Sequence, residues 1–423
     1  MHNEDFLHYL WKYSFYTKPL TLADGTPVEV LSAGEQNNDA GPDFFNSKIK
    51  IGNTVWAGNV EIHVKSSDWF KHNHHNDSAY DNIILHVVAQ NDKEIARKSG
   101  EKIPVVELKS PEKIYNQYLF LMQSNGWIPC ETFINKVDSF TVFQWKEVLM
   151  IERLQEKSTV VEQRFISNNK NREETFYQSL AANFGFKTNA LPFEMLAKSL
   201  PLKYLAKHKD SLSFLEAMLF GQAGLLPELP KDEYTKELIL NYKHLKNKFK
   251  LSPLNGNLWK FSKMRPPNFP VIRISQFANL IYKSEALMSK IVEANSFNVL
   301  RDLFDIETSN YWQTHYTFEK ESPRRIKKLG DSAFQNIVIN TIAPFFAFYG
   351  KVKNQNIFID KAISWLTELK PESNRITRHW EELGLKPENA FDSQSLIQLK
   401  NKYCNKRRCL NCRIGNQVIR YKV

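Results

Sequence analysis

Asp43, Glu61 and His63 are the residues whose types and spacing best suit chemistry. Along Asn59-Val60-Glu61-Ile62-His63-Val64-Lys65, apolar and polar side chains alternate. A strand repeats every two residues, so Val60, Ile62 and Val64 face a core while Glu61, His63 and Lys65 share the opposite face. Eighteen residues before Glu61, Pro42-Asp43 precedes a second extended run, Lys48-Ile49-Lys50-Ile51, and Gly52-Asn53-Thr54 is turn chemistry. A hairpin brings the Asp43 end beside Glu61. Two carboxylates converging there can hold Mg²⁺ or Mn²⁺ against a phosphate, with His63 or Lys65 positioning or activating the attacking water.

A histidine-rich stretch follows. Ser66-Ser67-Asp68-Trp69 leads to His72, His74, His75 and Asp77, then Tyr80-Asp81, and the apolar run Ile83–Val88 carries His86. Five of the chain's eleven histidines fall between His63 and His86, and clustered His and Asp are metal-binding and acid–base material. His74, Asp77 and His86 are additional site candidates. His72 and His75 read instead as parts of a solvated loop. For His63 and His86, which sit within strands, a site role and a satisfied core histidine both fit the pattern.

The third group is the tail, Cys404-Asn405-Lys406-Arg407-Arg408-Cys409-Leu410-Asn411-Cys412, with the spacing C-x4-C-x2-C. The fourth cysteine, Cys130, lies far upstream in Trp127-Ile128-Pro129-Cys130. Four thiolates can hold one zinc ion or one iron–sulfur cluster, and Cys130 as fourth ligand would clasp the tail onto its own neighbourhood. Lys402, Lys406, Arg407, Arg408 and Arg413 would favour the thiolates and suit phosphate contact.

The hairpin pattern resembles the PD-(D/E)xK nuclease superfamily: Pro42-Asp43, then Glu61-x-His63, with His63 where the lysine is expected and Lys65 two residues on. That resemblance implies a metal-dependent nuclease with Asp43 and Glu61 as metal ligands. An opening helix in that superfamily often lends an acid, for which Glu4 or Asp5 is available, although both also suit a helix N-terminus electrostatically. Some of these nucleases join a distant cysteine to a C-terminal trio, but there the lone cysteine precedes the nuclease core, whereas Cys130 follows it. More of the chain, namely Gly-Pro-Asp-Phe, Trp-x-Gly-Asn-Val-Glu-Ile-His, Ser-Asp-Trp, Leu-His-Val-Val and the Cys-rich tail, resembles a bacterial domain-of-unknown-function family from Asp5 to Ile419. That second resemblance implies a bacterial, cytoplasmic protein and brings no activity with it.

The elements that position these residues follow from pattern. With 42% hydrophobic and 13% aromatic residues in 423, the chain folds, and its length suits two or three domains. Phe6, Leu7, Leu10 and Trp11 recur at helical spacing over Asn3–Phe15. Strands are expected at Thr26–Leu31, across the hairpin, and at Ile83–Val88 and Pro104–Leu108, with polar loop over Ser32–Ala40 and a helix at Glu112–Gln123. After Pro129 helical patterns dominate, among them Thr141–Phe165, Glu173–Phe184, Leu212–Leu225, Glu233–Lys250, Ser275–Ala294, Phe334–Tyr349 and Ser393–Tyr403. The expected class is α+β. A nuclease-like mixed α/β domain spans 1–125, a helical domain 126–395, and a basic Cys-rich tail 396–423 docks near Cys130.

A net charge of +11 and a pI near 9.2 favour polyanionic partners, nucleic acid first. The start Met1-His2-Asn3-Glu4-Asp5 lacks the apolar core of a signal peptide, and no run approaches a bilayer span, so no membrane partner is expected. Four unevenly spread cysteines argue against a secreted disulfide framework. Arg324-Arg325-Ile326-Lys327-Lys328, with Arg407 and Arg408, are candidate phosphate contacts, and Trp259 or Phe261 could stack on a base. Three functions fit: a metal-dependent nuclease, a nucleic-acid-binding protein without catalysis but with a Cys-bound metal, and a hydrolase centred on His63, His74, Asp77 and His86.

Overall fold

The structure, a computed structural model, describes residues 3–37 and 39–421. It divides into two compact units, residues 1–145 with 399–423, and residues 146–398. The division falls inside the 29-residue helix Ser139–Ser167, so the boundary lies later than the expected 125. A helix of that length carries no turn signal at which sequence could mark the change. The class is α+β, as expected.

In the first unit, helix α1 (Glu4–Tyr13) buries Phe6, Leu7, Tyr9, Leu10 and Trp11, and Asn3 caps it by accepting the Phe6 N–H at 3.0 Å. A seven-stranded sheet follows: β1 (Leu20–Thr21), β2 (Pro27–Ser32), β3 (Glu35–Gln36), β4 (Phe44–Ile51), β5 (Thr54–Lys65), β6 (Ile83–Gln90) and β7 (Val105–Glu107). Its order is β1-β2-β4-β5-β6-β7, with β3 on β4. Thus β3 breaks up the expected polar loop. An antiparallel bridge between Leu22 and Val106 joins the β1 and β7 ends, so the sheet curls toward closure.

The hairpin β4–β5 is antiparallel and turns at Gly52-Asn53, while β5 and β6 run parallel, placing Glu61 opposite His86. Between Phe44 and Ser47 the hairpin register slips by one residue, and Asn46 takes a φ of 56°. A bulge of this kind re-aims the strand beside it, here the Asp43 end of β4. Gly58 is required where β6 begins. A Cβ there would lie 2.4 Å from Ile84 Cγ2 and 2.8 Å from Asn82 O, closer than any side chain could tolerate. Beyond the sheet, α2 (Asp68–Lys71) opens the His-rich loop, and α3 (Glu112–Gln123) keeps its expected bounds.

The second unit is helical around one large apolar core, apart from a small hairpin, His315–Thr317 with Lys320–Glu321. The expected helix Ser275–Ala294 is two helices, Pro270–Lys283 and Leu287–Glu293. Ala286, with φ 49°, breaks the run in a left-handed conformation that no helix continues through. Inside this core the Glu216 carboxylate accepts from Ser275 Oγ at 2.6 Å and Tyr234 OH at 3.0 Å, and burial pushes its pKa up to about 7. Unfolded, the same acid titrates near 4.5. Between those values the folded chain holds a proton that the unfolded chain has lost, so stability falls as pH rises through that window, by about 3 kcal/mol in all. Glu216→Gln should therefore flatten the pH dependence of amide-exchange protection in Leu212–Gln222 between pH 5 and 8. A variant as pH-dependent as the parent would refute this.

Candidate metal centre

The polar face of β5 is not solvated. Glu61 is 4% exposed and His63 1%, because elements pack over that face as well as over Val60 and Ile62. Helix α1 brings Glu4 and His8, one helical turn apart, against the β4 end. The loop after β5 brings His72 and His74. Parallel β6 brings His86.

Asp43 and Glu61 converge as expected. Glu61 Oε2 accepts the Asp43 N–H at 3.2 Å, and Asp43 Oδ2 accepts the Ile62 N–H at 2.9 Å. Burial first and the Asp43 charge second push the Glu61 pKa up to about 9. Glu4 is raised by the same two causes in the same order. Burial pulls His8 down, but the Asp43 carboxylate more than offsets it, leaving the imidazole raised. Such a pile-up of desolvated acids is relieved by a cation.

Two groups of three donors have all their ligand atoms within 4.8 Å of one another: Glu4, His8 and Asp43, and His63, His72 and His74. Glu61 stands between them, with Oε1 at 3.2 Å from His74 Nε2 and 3.5 Å from His63 Nε2. His63 Nδ1 lies 2.8 Å from His86 Nε2, and His63 Nε2 lies 3.0 Å from His72 Nδ1. Burial pushes His63 down to about 2 and His86 to about 3, with neighbouring imidazoles adding to both shifts. Both rings are therefore neutral at pH 7, the state that binds metal. His8 Nε2 sits 3.2 Å from Asp43 Oδ2, yet it is buried without a hydrogen bond, as is His74 Nε2. These atoms stand close to a carboxylate oxygen but are not aligned on it.

Aromatic rings wall the histidines in. His74 stacks on Tyr80 at 3.8 Å, and Trp69 lies 5.4 Å from His74 and 5.7 Å from His86. The remaining candidates fall outside. The Lys65 side chain makes no hydrogen bond or ion pair with this cluster among the described residues; its backbone N–H donates to Asp68 Oδ2 at 3.0 Å. Asp77 is exposed and accepts the Ala79 N–H at 2.9 Å, reaching His74 only through its charge. His75 leans on Phe70 instead. His72 is exposed, as its solvated-loop reading expected, but its ring also meets His63. Glu4 and His8 lie one helical turn apart on α1, and both join the cluster. Their i, i+4 spacing was the available signal.

A second cluster lies at the tail. Cys130, Cys404, Cys409 and Cys412 are all buried. Burial raises the Cys130, Cys404 and Cys409 thiols, and neighbouring cysteines add to each: Cys412 and Cys409 for Cys130, all three others for Cys404, and Cys412 for Cys409. The tail is tied down around them. Lys400 Nζ donates to Trp127 O at 2.6 Å, and Arg407 donates to the carbonyls of Leu121, Met122 and Ser124 at the end of α3. Gly415 is obligatory, because a Cβ there would stand 2.4 Å from Cys409 O.

Residues 4–375 match the family described as "Protein of unknown function (DUF2851)". The chain belongs to that family. No curated protein and no solved structure matches it. The DUF2851 match covers all of the candidate metal-binding residues of the first unit and Cys130 but ends before the cysteine trio, short of the expected Ile419. The described residues of this DUF2851 chain include no helix long and apolar enough to cross a membrane.

The basic patches fare unevenly. Lys327 is corrected: it is 5% exposed, and its amine donates to the carbonyls of Trp312 and Gln313, so it cannot meet a phosphate. Arg324 donates to Gln313 Oε1 at 3.2 Å, Arg325 donates its backbone N–H to Gln313 O, and Lys328 pairs with Asp305 in solvent. Arg407 is spent on α3, and Arg408 lies over Tyr403 at 5.1 Å. Trp259 is buried, donating to Ala223 O at 2.8 Å, and offers no face to a base.

Proposed function

We propose that this chain is a metal-dependent hydrolase acting on phosphodiesters of nucleic acid. A divalent ion would sit on Asp43 with Glu4, His8 and Glu61 around it, and stabilise charge developing on the scissile phosphate. The observation that carries this reading is the approach of Asp43 and Glu61 within a desolvated cluster that also gathers Glu4 and His8. A net charge of +11 suits a polyanionic substrate. The presence of His8 among the donors favours Mn²⁺ over Mg²⁺, because imidazole is a poor ligand for magnesium. The four cysteines would hold a zinc ion or an iron–sulfur cluster that pins the tail.

The histidine-rich half of the centre also favours a second reading, a hydrolase of some other substrate run from His63, His74 and His86. A binder without catalysis is the third. One assay separates them. Full-length protein is stripped with chelator, then given Mn²⁺, Mg²⁺ or no metal with end-labelled single- and double-stranded DNA and RNA. Cleavage restored by Mn²⁺ more than by Mg²⁺ is the expected result. Binding without cleavage under every metal would refute the nuclease reading in favour of the binder.

A further inference from the structure

We infer that His63, His72 and His74, with Glu61 Oε1, form a second metal site that takes a transition ion such as Zn²⁺, Co²⁺, Ni²⁺ or Fe²⁺. The inference rests on the proposed function only in treating the neighbouring Asp43 group as an ion site. Glu61 then faces both ions, turning Oε1 to the imidazoles while Oε2 stays on the Asp43 N–H.

Distances support it. Ligands about 2.0–2.1 Å from one ion lie roughly 2.9–3.4 Å from each other in octahedral or tetrahedral arrangements. The separations here are 3.0 Å for His63–His72, 3.2 Å for His74–Glu61 and 3.5 Å for His63–Glu61. Orientation supports it independently. A buried imidazole nitrogen without a hydrogen bond is costly, and His74 Nε2 is one, although a carboxylate oxygen is only 3.2 Å away. The unaligned pair is His74 Nε2 with Glu61 Oε1, whereas His63 Nε2 and His72 Nδ1 are hydrogen-bonded at 3.0 Å, and an ion bound there would displace their shared proton.

The surroundings match a ligand set. Metal-bound histidines usually commit their second nitrogen to a partner that fixes the ring. His63 commits Nδ1 to His86 at 2.8 Å. With the Nδ1 proton donated to His86, the Nε2 lone pair of His63 is free. Trp69 and Tyr80 hold the ring planes of His74 and His86. His72 is the exposed member of the trio, which gives an ion a route in and leaves room for a water ligand. Three imidazoles and one carboxylate suit borderline transition ions and not Mg²⁺ or Ca²⁺.

The test is a Co²⁺ titration of metal-stripped full-length protein, followed in the visible region. Thiolate-to-cobalt charge transfer in the near ultraviolet separately reports any ion at the cysteines. Wild type should give a nitrogen- and oxygen-ligated Co²⁺ spectrum. His72→Ala, which removes an exposed ring and leaves the core intact, should weaken that ion at least about 100-fold, and His72→Ala/His74→Ala should abolish it. Unchanged Co²⁺ affinity in the double variant would overturn the site and leave a stacked core-histidine cluster. Asp43→Asn separates the two readings. It should keep this Co²⁺ ion while losing Mn²⁺ from the adjoining group. Retained Mn²⁺ would sink the proposed function without touching the histidine site, and lost Co²⁺ would show that the imidazoles do not hold an ion on their own.

Discussion

Asp43→Asn should abolish metal-dependent cleavage while leaving the fold intact. The substitution keeps the size of the side chain, and its amide oxygen can still accept the Ile62 N–H that Asp43 Oδ2 accepts at 2.9 Å. The negative charge between Glu4, His8 and Glu61 disappears. A metal's stabilisation of developing charge is worth several kcal/mol, and each 1.36 kcal/mol or so is tenfold in rate. The expected loss is therefore about a thousandfold or more in kcat, read in the end-labelled cleavage assay. Circular dichroism and thermal unfolding should match wild type. Cleavage within tenfold of wild type would remove Asp43 from the chemistry.

The second large effect is expected at the tail. Cys130→Ser should release the proposed metal or cluster, because one of the four buried thiols that would hold it is lost. Binding free energy at a structural metal is folding free energy, so a loss of about 3 kcal/mol or more is expected. For a unit of this size that lowers the unfolding transition by roughly 6–12 °C, at about 2–4 °C per kcal/mol. Amide exchange should rise first in the terminal helix Arg413–Arg420, and chelator treatment of wild type should reproduce the change. Metal, iron and sulfide analysis of anaerobically purified protein tells zinc from a cluster. Full metal content in Cys130→Ser would remove Cys130 from the ligand set and overturn the clasp.

How much of this was legible in the sequence varies with the physics. Period-2 alternation at Val60–Lys65 and turn residues at Gly52-Asn53 fix a hairpin locally, so β4, β5 and the approach of Asp43 to Glu61 could be read directly. The cysteine spacing was legible for the same reason. What sequence could not reveal is which elements cover the polar face of β5. His8 lies 35 residues before Asp43, on a helix whose apolar stripe says that it packs but not where. His72 and His75 look alike in a polar loop, and only the chain path after α2 turns one toward His63 and the other toward Phe70. Lys327 illustrates the converse error. A run of four cations in five residues looks like a surface patch, but its third cation satisfies two carbonyls inside the helical unit.

The most direct test of the central claim is anomalous diffraction from crystals of the full chain grown or soaked with Mn²⁺, measured against metal-free crystals. The account predicts a manganese peak within coordination distance of an Asp43 carboxylate oxygen, with Glu4, His8 or Glu61 completing the shell. Well-diffracting crystals in which Asp43 and Glu61 keep their hydrogen bonds and no anomalous density lies near either carboxylate, at millimolar Mn²⁺, would contradict it.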